Sequence, residues 1–322
     1  MRFNKLDLNL LVALDALLAE RSVTKAANLL NLSPSAVSSA LGRLREYFDD
    51  ELLLQIGRKM EITPRAAGLQ DIVRDVLLRI DCTIAVQPAF EPKASDRVFR
   101  IFASDYAQMV FAPFLLSLAT AAGFAGQFEF LPQVKDPQRE LERGEADLLV
   151  IPSSFMSQEH PHDVIYEEEF VCLVASGSEM ATGELTYDRY VNAKHVVMHP
   201  PGYQADTFEG WFLKRYGLTR KIAVRTFGFG MLPALVSGTN CIATVHSRLA
   251  QRMVKTWPVE IRPTPVAIER MKQCIQWHKY RVGDPGIEWL RQISASASTQ
   301  MGALALPTRP VGKPARLRRA AP

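Results

Sequence analysis

The 322-residue chain is 48% hydrophobic and carries a formal net charge of +4, enough apolar material for more than one packed domain. Residues 301–322 hold Arg309, Lys313, Arg316, Arg318 and Arg319 and no acid, so the positive excess lies in the tail and a globally basic nucleic-acid-binding surface is excluded. Asp7, Asp15 and Glu20 interrupt the first apolar stretch and Cys82, Cys172, Cys241 and Cys274 form no CxxC pair. With no run near the ~18 apolar residues of a membrane span, the chain reads as cytoplasmic and reduced, with no membrane partner.

Leu10, Leu11, Leu14, Leu17 and Leu18 recur at helical spacing and predict a first helix over Leu8–Arg21. Ser22 caps a second helix, with Val23, Ala26, Ala27 and Leu30 on its apolar face, and Asn31-Leu32-Ser33 makes a turn. Ser33-Pro34 opens a third helix, with proline where a missing N–H costs least. This third helix turns Val37, Leu41 and Leu44 inward and a small polar face outward. The pattern is a helix-turn-helix at about residues 23–42, whose recognition helix lies in the DNA major groove. Leu52–Leu54 and Lys59–Ile62 around Gly57 predict a hairpin wing, completing a winged DNA-binding domain over residues 1–63. The expected DNA contacts are Thr24, Ser33, Pro34, Ser35, Ser38, Ser39, Arg43, Arg45, Arg58, Lys59 and Arg65. Base readout falls to Ser35, Ser38 or Ser39, because Pro34 has no N–H, and the cations neutralise phosphates.

Thr63-Pro64 repeats the capped, proline-first start and predicts a linker helix over 64–86, ~33 Å long at ~1.5 Å per residue. Leu69, Ile72, Val73, Val76, Leu77 and Ile80 form an apolar stripe along it. A lone helix buries such a stripe only against a partner, so dimerisation is expected rather than packing on its own domain. Residues 87–95, with Pro88 and Pro92, read as a hinge.

Beyond the hinge, strands alternate with helices. Strand Val98–Ala103 is followed by a helix from Ser104-Asp105 to about Ala121, strand Gln127–Leu131, a short helix Pro137–Arg143 and strand Ala146–Ile151. Further strands fall at Glu169–Val174, Val196–Met198, Ile222–Thr226 and Cys241–Thr244. This rhythm predicts open parallel sheets in a two-lobed α/β domain over 96–300. The first lobe takes about 96–174 and 276–300 and the second about 175–275, with crossovers at Ser176-Gly177-Ser178 and Gln273–Trp277. The residues after Ala297 read as disordered, and 301–322 as a basic disordered tail.

A ligand cleft between the lobes is expected where strands end and helices start: Ser104 and Asp105, Pro152 and Phe155, His199, Gly202 and Tyr203, then Phe227, Phe229 and Met231. Their Phe, Tyr and Met side chains suit an apolar or aromatic ligand. Gly228-Phe229-Gly230 lacks the third glycine of a dinucleotide loop, and His195-x3-His199 falls in a strand without further metal ligands. No nucleophile elbow is present. No cofactor, metal or enzymatic activity is expected.

Leu6-Asp-Leu-Asn-Leu-Leu11, Ser22-Val-Thr-Lys-Ala-Ala27, Leu32 to Leu44 and Thr63-Pro64-Arg65-Ala66 make residues 1 to about 300 resemble the LysR-type transcriptional regulators. Within that family the chain is most similar to the branch of nodulation-gene activators and regulators of aromatic-compound degradation. Arg2-Phe3, Leu11-Val-Ala-Leu-Asp-Ala-Leu17, Arg143-Gly-Glu-Ala-Asp-Leu148, Phe155-Met156-Ser157 with His160-Pro161, and Gly238-Thr239 before Ile242-Ala243-Thr244 carry this closer match. Family recognition helices often begin Ser-Gln-Pro, whereas this chain has Ser33-Pro34-Ser35.

The resemblance implies a winged helix-turn-helix, a dimerisation helix and a bilobal α/β effector domain like a periplasmic binding protein. The function it implies is an activator of an aromatic-compound degradation operon, responding to a small aromatic effector bound between the lobes. The alternative is a nodulation-gene activator responding to flavonoids. A bilobal solute-binding or sensory protein is opposed by the helix-turn-helix. Implied partners are double-stranded promoter DNA, the effector, further copies of the chain as dimer or tetramer, and RNA polymerase.

Overall fold

In the computed structural model, which describes residues 6–57, 59–84, 89–132, 134–199, 207–215 and 217–302, the chain divides into two units. Residues 1–87 with 142–144 form one, and residues 88–141 with 145–322 the other. Arg58, Gly202, Tyr203, the end of the linker helix at 85–86, the start of the hinge at 87–88 and the tail from 303 onward lie outside the described residues.

The first unit is built from capped helices. Asp7, Ser22, Ser33 and Thr63 cap α1 (Leu8–Glu20), α2 (Val23–Leu29), α3 (Pro34–Phe48) and, after the hairpin of β1 (Leu53–Ile56) and β2 (Lys59–Ile62), α4 (Pro64–Thr83). Each side-chain oxygen accepts an N–H of the first turn that the helix leaves unpaired. Asn31 makes the turn between α2 and α3 at φ +52°, a left-handed conformation asparagine tolerates. Ala26 and Ala27 are fully buried and let α2 approach closely, while Leu14, Leu17, Val37 and Leu44 fill the core around them. Asp50 Oδ1 accepts the Leu52 N–H at 2.7 Å and the Thr63 hydroxyl at 2.6 Å. That pair of bonds holds Leu52 at φ +59° with its side chain fully buried, so core packing offsets the backbone strain.

The α4 stripe does not wait whole for a partner. Val73 is buried, and Leu69 and Leu77 pack into the core of this unit, where α4 lies along α1. Ile72 and Val76 remain 61% and 39% exposed, and Ile80 is half-buried. Residues one apart on a helix are separated by about 100°, so one helix carries both a core-facing and a bare apolar row.

The second unit contains two five-stranded sheets. β3 (Val98–Ala103), α5 (Asp105–Val110), α6 (Ala112–Ala121), β4 (Gln127–Leu131), α7 (Pro137–Glu142), β5 (Leu148–Pro152) and β6 (His162–Glu168) begin the first lobe. The second lobe runs through β7 (Phe170–Ala175), α8 (Tyr187–Asn192), β8 (Lys194–Met198), α9 (Phe208–Arg215), β9 (Lys221–Thr226), α10 (Leu232–Val236), β10 (Cys241–His246), α11 (Ser247–Met253) and β11 (Val259–Pro263). The chain then returns to the first lobe as β12 (Met271–Gln276) and α12 (Pro285–Gly302). The strand orders are β4-β3-β5-β12-β6 and β11-β7-β10-β8-β9.

Four sequence expectations need correction. The sheets are mixed: β12 runs antiparallel to β5 and β6, and β7 antiparallel to β10 and β11. The lobe crossings lie at Glu169 and residues 264–270, not at Ser176–Ser178 and Gln273–Trp277, so β7 belongs to the second lobe and β12 to the first. Ser176-Gly177-Ser178 is instead a turn closing β7, with Gly177 at φ +74° and the Ser178 hydroxyl donating to the Ala175 carbonyl at 2.7 Å.

The single helix expected from Ser104 to Ala121 breaks at Phe111. Pro113 has no N–H for the Met109 carbonyl, which accepts from the Arg252 guanidinium at 2.5 Å instead. The residues after Ala297 continue α12 to Gly302. Ala297 and Met301 are buried in the core, and Ser294, Ser296 and Thr299 each donate to a carbonyl four residues back, satisfying their hydroxyls within the helix.

Candidate functional site

On the first unit, Thr24 is exposed on α2, and Ser33, Pro34, Ser35, Ser38 and Ser39 are exposed on α3. The Ser33 hydroxyl is already engaged: it accepts the Ala36 N–H at 3.2 Å and lies 3.0 Å from the Ser35 hydroxyl. Ser38 and Ser39 have no hydrogen-bond partner among the described residues and so present free hydroxyls.

The four described cations divide into two pairs. Lys59 and Arg65 are exposed, with no ion pair among the described residues. Arg43 reaches Asp7 at 3.1 Å, and the N–H of Leu10, aided by Arg43, holds the Asp7 carboxyl below its ordinary range. Arg45 donates to the Glu51 and Leu53 carbonyls, each at 2.9 Å, and pairs with the Glu51 carboxylate at 3.1 Å. It brackets the wing onto the end of α3, so its guanidinium is committed to the fold.

In the second unit a cavity of about 300 Å³ lies between the lobes, at the small end of pockets that enclose organic ligands. The first lobe contributes Ser104, Tyr106, Gln138, Pro152 and Phe155, and the second Phe170, Met198, Phe208, Phe229 and His246. Tyr106 stacks on His246 with ring centroids 3.7 Å apart, and Phe170 stacks on Phe208 at 5.8 Å. Phe229 meets the His246 ring edge-on at 4.7 Å. These contacts make a continuous aromatic wall, the kind of surface that gains most from a flat apolar ligand. Burial pushes the His246 imidazole down to about 3, so it is neutral at physiological pH.

The same wall is wired to a lobe crossing. Tyr106 donates to Glu168 Oε2 at 2.6 Å, and Glu168, fully buried, ends β6 one residue before β7 begins the second lobe. The Arg248 N–H reaches Glu168 Oε1 at 3.3 Å and its guanidinium lies 3.5 Å from Oε2. Burial raises the Glu168 carboxyl, with Tyr106 and Arg248 pulling it back, and burial also raises Tyr106 well above its ordinary value.

Of the expected ligand residues, Ser104, Pro152, Phe155 and Phe229 line the cavity, whereas Asp105, His199, Phe227 and Met231 do not. Asp105 Oδ2 instead accepts the Gly230 N–H at 2.8 Å, a clasp between the lobes, and burial raises its carboxyl. A Cβ at Gly228 would stand 2.8 Å from that oxygen, so this glycine serves close approach rather than a dinucleotide. The His199 N–H extends the β8–β9 pairing by donating to Thr226 at 2.7 Å, and Phe227 is 72% exposed. His195 is buried, with Nε2 2.8 Å from the Tyr190 carbonyl.

Tyr106, Gln138, Phe170, Phe208, His246 and Gln273 were not expected. Tyr106, two residues into the capped start at Ser104, carried a readable signal. Gln273 did not, because its strand reads as a link.

A winged helix-turn-helix and a bilobal α/β module with a ligand-sized cavity, in one chain, define a DNA-binding transcriptional regulator. Residues 8–67 match the model for bacterial regulatory helix-turn-helix proteins of the lysR family, and residues 92–298 match the LysR substrate binding domain. Nodulation protein D 3 of Mesorhizobium japonicum is 40% identical over 301 residues, covering 94% of this chain and 100% of that protein. A probable transcriptional regulator from Pseudomonas aeruginosa superposes with TM-score 0.63 at 25% identity, covering 94% of this chain and 99% of that one. A full-length OxyR variant from the same organism gives TM-score 0.68 at 13% identity, over 95% and 99% of the two chains, a likeness of fold alone. The chain belongs to the LysR family of transcriptional regulators.

Proposed function

We propose that the chain activates nodulation-type genes, binding promoter DNA as an oligomer and responding to a flavonoid-like aromatic ligand in the inter-lobe cavity. The 40% identity to nodulation protein D 3, over the whole of that protein, favours this pathway over the aromatic-degradation operon expected from the sequence. The observation that carries the ligand class is the aromatic wall of Tyr106, Phe170, Phe208, Phe229 and His246.

On this reading α3 enters the major groove with Ser38 and Ser39 at base edges, while Lys59 and Arg65 meet phosphates. The bare row Ile72–Val76–Ile80 of α4 supports self-association to a dimer and tetramer. The ligand favours one lobe arrangement by binding it better than the other, and that difference alone shifts how the paired recognition helices and RNA polymerase engage the promoter.

Mobility-shift titration of DNA upstream of the operon the chain controls, with and without naringenin or salicylate, tests the reading. The expected outcome is a DNA complex whose affinity or mobility responds to naringenin and not to salicylate. Failure to retard that DNA at low salt overturns the regulator reading for this promoter; response to salicylate alone restores aromatic degradation.

A further inference from the structure

Hydrogen-bonding atoms left without partners in the cavity wall define what the ligand must offer. Gln273 on β12 is 1% exposed and lines the cavity, yet its carboxamide oxygen is buried with no hydrogen-bond partner among the described residues. A buried amide without a partner costs about 1–3 kcal/mol, which makes it a strong candidate for a ligand contact.

Gln138, at the start of α7, adds a direction. Gln276 is pinned by backbone groups: its Nε2 donates to Ser157 at 2.8 Å and His160 at 3.1 Å, and its Oε1 accepts from the Ser157 N–H at 3.2 Å. Gln138 Nε2 donates to that same Oε1 at 2.8 Å and to the Phe155 carbonyl at 3.1 Å. The orientation of the Gln138 amide is therefore set by its neighbours, and its Oε1 is left buried with no partner. An acceptor held this way asks for a donor.

Charge points the same way. The charged residues lining the cavity are Lys135, which is exposed, Asp136, which accepts the Arg139 N–H at 3.1 Å, and Glu209, which is paired with half-buried Arg220. His246 is neutral. A carboxylate in the cavity would find two acids and no buried, uncommitted cation among these residues, and burying it unpaired is costly.

We infer that Gln138 and Gln273 are specificity-determining residues that select a hydroxyl-bearing, uncharged aromatic ligand over a matched aromatic carboxylate. This rests on the effector reading of the cavity. The hydroxyl donates to Gln138 Oε1, and the Gln273 amide takes a second polar group of the ligand.

Calorimetric titration of the full-length protein with flavone, 4′-hydroxyflavone and flavone-4′-carboxylate tests the inference. Wild type is expected to bind the hydroxyl compound about tenfold more tightly than flavone and the carboxylate most weakly. Gln138→Met and Gln273→Leu should each erase most of the hydroxyl preference while leaving flavone affinity within about threefold, and Gln273→Lys should improve the carboxylate. Thermal melts confirm folding, and two independent positions guard against one variant failing to fold. Equal loss of flavone and 4′-hydroxyflavone in both variants overturns the inference, as does a wild type that prefers the carboxylate. Wild type that binds none of the three, while still binding promoter DNA, removes the aromatic-effector reading beneath it as well.

Discussion

The two units place their functional groups in opposite ways. In the first, the candidate contacts are short side chains left exposed on a scaffold whose caps act across three residues, as Ser33 does on Ala36. In the second, the working groups are buried and drawn from distant segments: Tyr106 of α5 stacks on His246 of β10, and Gln273 of β12 lines the same cavity. All six histidines belong to the second unit, and four of them, His160, His195, His246 and His278, are buried. The contrast follows from the targets: a DNA groove is met by a protruding surface, whereas a small molecule must be enclosed. Enclosure takes polar groups out of water, and only a tertiary framework can find partners for them.

The sharpest way to separate the units is to break the lobe crossing. Glu168→Ala leaves the buried Tyr106 hydroxyl and the half-buried Arg248 without their carboxylate, and should cost the second unit about 3–5 kcal/mol in urea unfolding. Glu168→Gln, which keeps an acceptor, should cost less. A matching loss in the first unit's transition would contradict the assignment.

Acid should also act on one unit before the other. His246 is held down to about 3 and His195 to about 4 by burial, so the native state keeps them neutral where the unfolded chain protonates. Folded values below the unfolded one of about 6.5 mean that this stability is present above pH ~6.5 and is lost as pH falls toward 4, by up to about 1.4 kcal/mol per unit for each group. The first unit has no histidine, and hydrogen bonds hold its Asp7 and Asp50 carboxyls below their ordinary range. Its melting temperature should stay level until below about pH 4. Differential scanning calorimetry across this range checks the order; parallel loss in both units above pH 5 would refute it.

Within the first unit, the two apolar rows of α4 can be told apart. Val73→Ala, in the core row, should cost about 1–2 kcal/mol of stability. Ile72→Ala should change stability by no more than about 0.5 kcal/mol while weakening self-association in sedimentation equilibrium. Unchanged association would remove the bare row from the interface.

The smallest expected effect distinguishes the arginines. Arg65→Ala should flatten the log–log salt dependence of DNA binding by about one unit without moving the melting temperature. Arg45→Ala should instead lower the first unit's melting temperature, because it frees the wing from α3. Equal salt-slope losses without destabilisation would return Arg45 to the phosphate contacts.

Much of the first unit was legible in the order of its residues. Ser22, Ser33-Pro34 and Thr63-Pro64 start helices where expected, and Val37, Leu41 and Leu44 turn inward as their spacing dictates. Less of the cavity was readable. Ser104 and Phe155 were found because they follow strands. β6 and β11 are hard to read from sequence because charged residues interrupt their apolar runs, Asp163, Glu167 and Glu168 in β6 and Glu260 and Arg262 in β11. Arg43 and Arg45 read as free cations because nothing local announces Asp7 or Glu51 as their partners.

Capping and periodicity act over three or four neighbours, so the amino-acid order alone determined where the helices of the first unit begin, which face α3 buries and that the chain carries a helix-turn-helix. The points at which the lobes cross, the antiparallel insertions β7 and β12, and the unpartnered amide oxygens of Gln138 and Gln273 were decided by tertiary structure. Each depends on pairings between segments many tens of residues apart, and a hydrogen bond left unmade in a cavity exists only once every other partner has been assigned.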